Sequence, residues 1–346
     1  MLVDKLIPPR RLLAWVGVHI AWLTAWAVVA VCVYEFTGLA EWLAIPWLPV
    51  SLIGTAVAFY LGFKNNSAYD RMWEARKTWG GIVNSSRAWG SSVKSYVSNQ
   101  FTSQDVSTDE LRAIHQRLVY RHIAWLYALR SQLLMVKDWE HAAQGGKTGR
   151  TAVRYQREFG VGLIDDEITK NELHLFIPKD EFERTINYQN TATQLIDQQS
   201  MDLQELRSRD LIDDFRHMEL QKLLSDFYTH QGKAERIKNF PLPRQYANSG
   251  SIFVGIFILL LPFAMVSEFS KLGDFGAWWS IPFIVLVGWV FYMMESIGDY
   301  SENPFQGMAN DIPMFALSRT VEIDLREMLG ETDLPEAIAP RNGILM

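Results

Sequence analysis

The chain has 346 residues, is 49% hydrophobic with 13 Trp and 19 Phe, and carries a formal net charge of −6. That apolar content is rich for a wholly water-exposed protein and points to a membrane protein with large wet parts. A single cysteine, Cys32, excludes an intramolecular disulfide, and the acidic excess is not a nucleic-acid surface.

Four windows hold no Asp, Glu, Lys or Arg: residues 12–34, 42–63, 245–267 and 275–294. At roughly 20 residues each can cross a hydrocarbon core of about 30 Å. The first window follows Lys5, Arg10 and Arg11, as a signal peptide would. It exceeds the roughly 7–15 residues of an h-region, and no small-x-small cleavage site follows, so it reads as a retained span. Within it, Cys32 reads as a small buried hydrophobe and His19 as a structural histidine held by a hydrogen bond.

The second window carries two stripes at four-residue spacing. Gly54, Ala58 and Gly62 form a small-residue face along which another helix can approach closely. Thr55, Phe59 and Phe63 form a second face that either meets lipid or a neighbouring helix, or lines a hydrophobic constriction when several copies surround an axis. Between Phe63 and Trp79 there is neither Pro nor Gly, so the helix is expected to run on unbroken past the end of the window. Its polar continuation, from Lys64 to Lys77, is expected to pair charges along its own surface, Asp70 and Glu74 with Arg71 or Arg76.

Residues 64–244 form an insert with 26 Lys and Arg against 24 Asp and Glu. Leu111, Ile114, Leu118, Tyr120, Ile123, Leu126, Leu129 and Leu133 recur at helical spacing, as do Leu203, Leu206, Leu211, Phe215, Met218, Leu223 and Phe227, which predicts amphipathic helices with one buried stripe. Residues 144–162 read as a loop. The sequence QGGKTGR at 144–150 contains a Gly-Lys-Thr, but His141 stands where a phosphate loop needs its first Gly, and no strand precedes it. His115 and His122 read as core or surface residues rather than metal ligands.

Pro241 and Pro243 require extended chain before the third window, and the fourth is followed by Asn303-Pro304-Phe305. The tail, 295–346, holds 3 basic against 10 acidic residues, which is the whole acidic excess of the chain. Basic residues cluster before the first window, after the second and before the third, while the linkers 35–41 and 268–274 hold only Lys271; both termini and the insert are therefore expected in the cytoplasm. The first basic residue after the fourth window is Arg319, so that end adds nothing to the rule. The chain thus divides into a first membrane hairpin (1–63), a cytoplasmic helical domain (64–244), a second hairpin (245–294) and an acidic tail (295–346).

Three stretches, FKNNSAYDRMWEARKTWG after the second window, ERIKNFPLPRQYA before the third and GDYSENPFQGMANDIPM after the fourth, resemble the bacterial bestrophin homologues in order and spacing over nearly the whole chain. The resemblance implies an all-α, homopentameric ion channel of the bacterial inner membrane, with four transmembrane helices per subunit around one central pore and no cofactor. It implies that the second helix lines the pore, that the neck positions fall on Thr55, Phe59 and Phe63, and that a further cytoplasmic aperture falls near Phe215. Permeant monovalent ions would be chloride by the eukaryotic branch and sodium by bacterial members. Animal relatives carry an acidic run after Asn-Pro-Phe that holds an activating Ca²⁺; here residues 306–311 supply only Asp311, so such activation is not expected. The alternatives from the residues alone are a membrane-anchored sensor or interaction protein without conductance, and a secondary transporter, for which only Pro262 and Pro282 could break a span.

Overall fold

The computed structural model describes residues 1–4, 9–145, 149–154 and 173–346; Lys5, the Gly-Lys-Thr at 146–148 and most of the expected 144–162 loop lie outside them. In chain order the principal helices among the described residues are α1 (Pro9–Phe36), α2 (Ala40–Leu43), α3 (Trp47–Tyr96), α4 (Thr108–Leu134), α5 (Lys179–Thr185), α6 (Thr191–Ser208), α7 (Asp214–Asn239), α8 (Arg244–Phe269), α9 (Gly276–Ser301) and α10 (Met314–Met328). Among the described residues strand-like pairing is confined to isolated bridges, Leu2 with Ile344 and Arg341 with Ile344. The chain divides into two units, one of residues 4–70 and 241–302, the other of 1–3, 71–240 and 303–346.

The first unit holds the apolar helices. Among the described residues four helical stretches are long and apolar enough to cross a membrane: Trp15–Phe36, Trp47–Tyr96, Arg244–Leu272 and Gly276–Ser301. The second does not begin at Trp42 as the charge-free window suggested. Pro46 biases Ile45 away from helical geometry, and α3 starts at Trp47, with Pro49 tolerated in its first turn. Pro262 and Pro282 both lie inside helices that continue through them, so neither breaks a span. Leu23, Val31, Val57, Leu61, Phe257, Leu261 and Ile284 make the core of this unit, while Leu259, Leu286 and Val290 face outward. Apolar side chains both inside and outside are what a lipid-facing bundle requires.

In the second unit α4 is the central helix. Its N-cap Ser107 accepts from the Glu110 N–H at 3.1 Å, and from Arg121 to Ser131 every residue is buried. The single buried stripe expected there is corrected: α6, α7 and α10 all contact α4, so that even Arg121 and Arg130 are enclosed. Arg121 is satisfied by a forked ion pair to Glu181, at 2.6 and 2.7 Å, and by Asp202 at 2.6 Å.

The apolar run from Leu203 to Phe227 is likewise not one stripe. It is cut between α6 and α7 by a left-handed residue, Asp210 (φ 52°). The Asp210 N–H bonds to the Arg207 carbonyl at 3.1 Å and the Leu211 N–H to the Leu206 carbonyl at 3.0 Å, the double closure that ends a helix. Asp213 then caps α7 by accepting from the Arg216 N–H at 2.9 Å. Beyond the turn the buried face is Leu220, Leu224, Phe227 and Ala234, leaving Phe215 and Met218 exposed.

Candidate functional site

α3 has two faces with different fates. Val50, Gly54, Val57, Leu61, Lys64 and Ala68 are buried, and the same stripe continues as Ala75, Trp79, Ile82, Ser86, Trp89, Val93 and Val97. On the opposite face Thr55 is exposed, and Phe59 and Phe63 are each 67% exposed. Leu48 and Leu52 extend that face toward the helix start. The Thr55 hydroxyl donates to the Ser51 carbonyl at 3.0 Å, so its methyl is free to face outward with the two rings. Thr55, Phe59 and Phe63 therefore share one uncovered face, with their own chain behind them.

The small-residue stripe is divided between two environments. A Cβ on Gly54 would stand 2.7 Å from the Phe257 ring, so Gly54 serves close approach of α8 within the chain. Ala58 is half-buried, and around Gly62 nothing lies within 4 Å of an added Cβ. Phe215, in the first turn of α7, is 83% exposed and belongs to the other unit.

The charged continuation of α3 reaches across to α7, where the spacing suggested pairing along its own surface. Arg71 donates to the carbonyls of Phe240 at 2.8 Å and Ile237 at 2.9 Å, satisfying acceptors left over at the end of α7. Glu74 pairs with Arg236 of α7. Lys64 is not the first wet residue of the helix: it is 1% exposed, and its Nζ lies 2.6 Å from Glu295 Oε1. In the sequence Lys64 and Glu295 mark only the ends of charge-free windows, and the clue that they meet is that Lys64 falls on the buried three-and-four spacing.

The loop after α9 is built around Asp311. Its Oδ2 accepts from the N–H groups of Gln306 at 2.9 Å and Met308 at 3.0 Å. Burial pushes its carboxyl up to about 7 against the opposing pull of those donors. Phe305 is buried beside it, and the Gln306 side chain accepts from the His141 backbone N–H at 3.1 Å. Among the described residues no group of three His, Cys, Asp or Glu side chains is arranged to hold a metal. His122 bonds to Ser86 Oγ at 2.8 Å, His115 to the Val97 carbonyl at 2.8 Å, and His19 to the Tyr292 hydroxyl at 2.9 Å.

The sequence pattern of a family described as Bacterial/Fungal Bestrophin protein matches residues 9–327. This chain belongs to the bacterial and fungal bestrophin family. Its relatives include an Escherichia coli K12 protein named voltage-dependent anion channel-forming protein YneE, 26% identical over 84% of this chain and 80% of its own length. A Ralstonia nicotianae protein named voltage-dependent anion channel-forming protein RSc3414 is 27% identical over 97% of this chain and 96% of its own. The solved bestrophin homologue of Klebsiella pneumoniae shares the fold with a TM-score of 0.73 at 21% identity, covering 92% of this chain and 99% of that one. A bestrophin is a channel protein and not an enzyme. In this bestrophin the three motif stretches share a place in the chain: each contains one of the points, 70/71, 240/241 and 302/303, at which the chain passes from one unit to the other.

Proposed function

We propose that this bestrophin forms a passive ion channel in the bacterial inner membrane, a homopentamer in which α3 of every subunit lines one central pore. The observation that carries this reading is the uncovered face of Thr55, Phe59 and Phe63 on a helix whose other face is fully used by its own chain. One copy encloses nothing; five copies with this face inward make a collar of ten phenyl rings, an apolar constriction of the kind that gates by dewetting. Phe215 is assigned to a second aperture at the far end of the helical domain, on the strength of its exposure.

Four spans per subunit, with both termini and residues 64–244 cytoplasmic, follow from the four apolar helices and from the basic residues that flank three of them. The relatives named as anion channels favour a monovalent anion such as chloride. The ring edges of phenylalanine, which carry partial positive charge, suit that choice if they point to the axis. Purified protein in a planar bilayer tests the reading: unitary currents whose reversal potential in asymmetric NaCl follows chloride are expected. A reversal following sodium would reverse the sign of selectivity, and absence of current from a pentamer would remove the channel.

A further inference from the structure

Two consecutive residues, Lys64 and Asn65, follow the Phe63 ring directly and take no part in the neck. Lys64 is on the buried stripe between Leu61 and Ala68. Its Nζ donates to Glu295 Oε1 at 2.6 Å, and Ser251 Oγ donates to the same oxygen at 2.6 Å. One carboxylate therefore ties α3, α8 and α9 together. Asn65 Nδ2 donates to the Met294 carbonyl at 2.9 Å. Two glycines make the room: a Cβ on Gly250 would stand 2.6 Å from Glu295 Oε2, and one on Gly298 2.1 Å from Asn65 Oδ1. Each polar side chain enters a slot that a residue with a Cβ would narrow or close.

We propose that Lys64, Asn65 and Glu295 are positioning residues that fix the rotation of α3 about its own axis, and thereby the direction in which Phe59 and Phe63 face. This rests on reading those rings as the neck. Between residues 50 and 68 the remainder of the stripe is Val, Leu, Ala and Gly, whose contacts are non-directional and tolerate small rotations. A buried ammonium facing one carboxylate does not, because turning away leaves both charges unpaired in a poorly solvating interior. Fixing register is the best-attested use of a buried polar pair. Phe63 precedes Lys64 by one residue and Phe59 by little more than one turn, so the angle set at Lys64 reaches the rings through a stretch of rigid helix.

Thiol reactivity tests this in the assembled full-length protein with Cys32→Ala as background, in planar bilayers, using a charged water-soluble thiol reagent. With the polar triad intact, Phe63→Cys should react and change the current, and Gly62→Cys should react more slowly. Adding Glu295→Gln or Lys64→Met should slow reaction at position 63 several-fold and speed it at position 62. Lys64→Arg, which keeps the pair, should keep the intact ratio. The double change Lys64→Met with Glu295→Leu should restore thermal stability yet leave the ratio disturbed, and it carries the test if the single variants do not assemble. A ratio that stays intact in these variants, or returns together with stability in the double variant, overturns the positioning role. A Phe63→Cys protein that reacts without any change in current overturns the neck reading instead.

Discussion

Glu140 and Lys238 form an ion pair in which both side chains are almost wholly withdrawn from water. Burial pushes the Glu140 carboxyl up and the Lys238 ammonium down, and their mutual attraction opposes both shifts. The ammonium also reaches the Phe305 carbonyl at 3.4 Å, so the pair holds the Asn-Pro-Phe loop. Either Glu140→Gln or Lys238→Met alone should cost about 3–5 kcal/mol, because each leaves one buried charge unpaired. The double variant should recover much of that loss, and denaturant unfolding followed as a double-mutant cycle measures the difference.

In the proposed pore, replacing Phe59 and Phe63 together by Ala should raise unitary conductance or open probability, since a collar of ten rings would become a collar of methyl groups and wet more easily. The comparison residue must be exposed but off this face. Leu61 does not serve, because it is fully buried and its truncation would open a cavity costing about 2–5 kcal/mol. Leu286→Ala, exposed on α9, should leave currents unchanged. Equal effects from both would remove the special standing of the two rings.

Micromolar Ca²⁺ should leave open probability unchanged. Asp311 is the one carboxylate among residues 306–311, and its Oδ2 is already engaged by two backbone N–H groups, whereas calcium needs six or more oxygens. A steep Ca²⁺ response abolished by Asp311→Asn would overturn this.

Asp311 should instead give stability a pH dependence. Its folded-state pKa is raised from 3.8 to about 7, chiefly by burial, so the folded chain holds the proton more tightly than the unfolded chain. The stabilising contribution is therefore full below 3.8 and lost as the pH rises through 7. Its slope is at most about 1.4 kcal/mol per pH unit. His122 works in the opposite sense: burial pushes it down to about 3, so its contribution is present above 6.5 and lost as the pH falls. Thermal unfolding should show a smaller decline from pH 5 to 7 for Asp311→Asn than for the parent.

The turn between α6 and α7 offers a stabilising change. Asp210 holds φ 52°, a conformation that costs a side-chain-bearing residue but not glycine. Its exposed pairing with Arg207 at 2.9 Å returns only a few tenths of a kcal/mol. Asp210→Gly should therefore be neutral or stabilising by up to about 1 kcal/mol, and Asp210→Ala destabilising, as read from the unfolding midpoint.

The helical architecture and the apolar stretches were legible because a bilayer demands long runs without charge, and such runs stand out residue by residue. The shared face of Thr55, Phe59 and Phe63 was legible for the same reason: four-residue spacing maps directly onto one side of a helix. Lys64 was misread because a charge at the end of an apolar run is assumed to be wet, and its partner lies 231 residues away. Arg71 and Glu74 were misread because local pairing is the only kind that spacing can reveal. The cut at Asp210 was hidden by an aspartate standing where glycine usually announces a helix end.

The buried stripe of α3, running from Val50 to Val97 in steps of three, four and, between Ala68 and Ala75, seven, has a consequence for how such a chain can change length. Each residue advances a helix by about 100°, so deleting or inserting one residue anywhere between Lys64 and Trp79 would turn everything beyond it to a different compass bearing. Either the rings near one end or the tryptophans near the other would then face the wrong way. Length changes near seven residues come within about 20° of whole turns and would spare both ends. Between those two landmarks, gaps in alignments of working relatives should therefore be absent or come in such sets, whereas the connections outside α3 are free of that arithmetic.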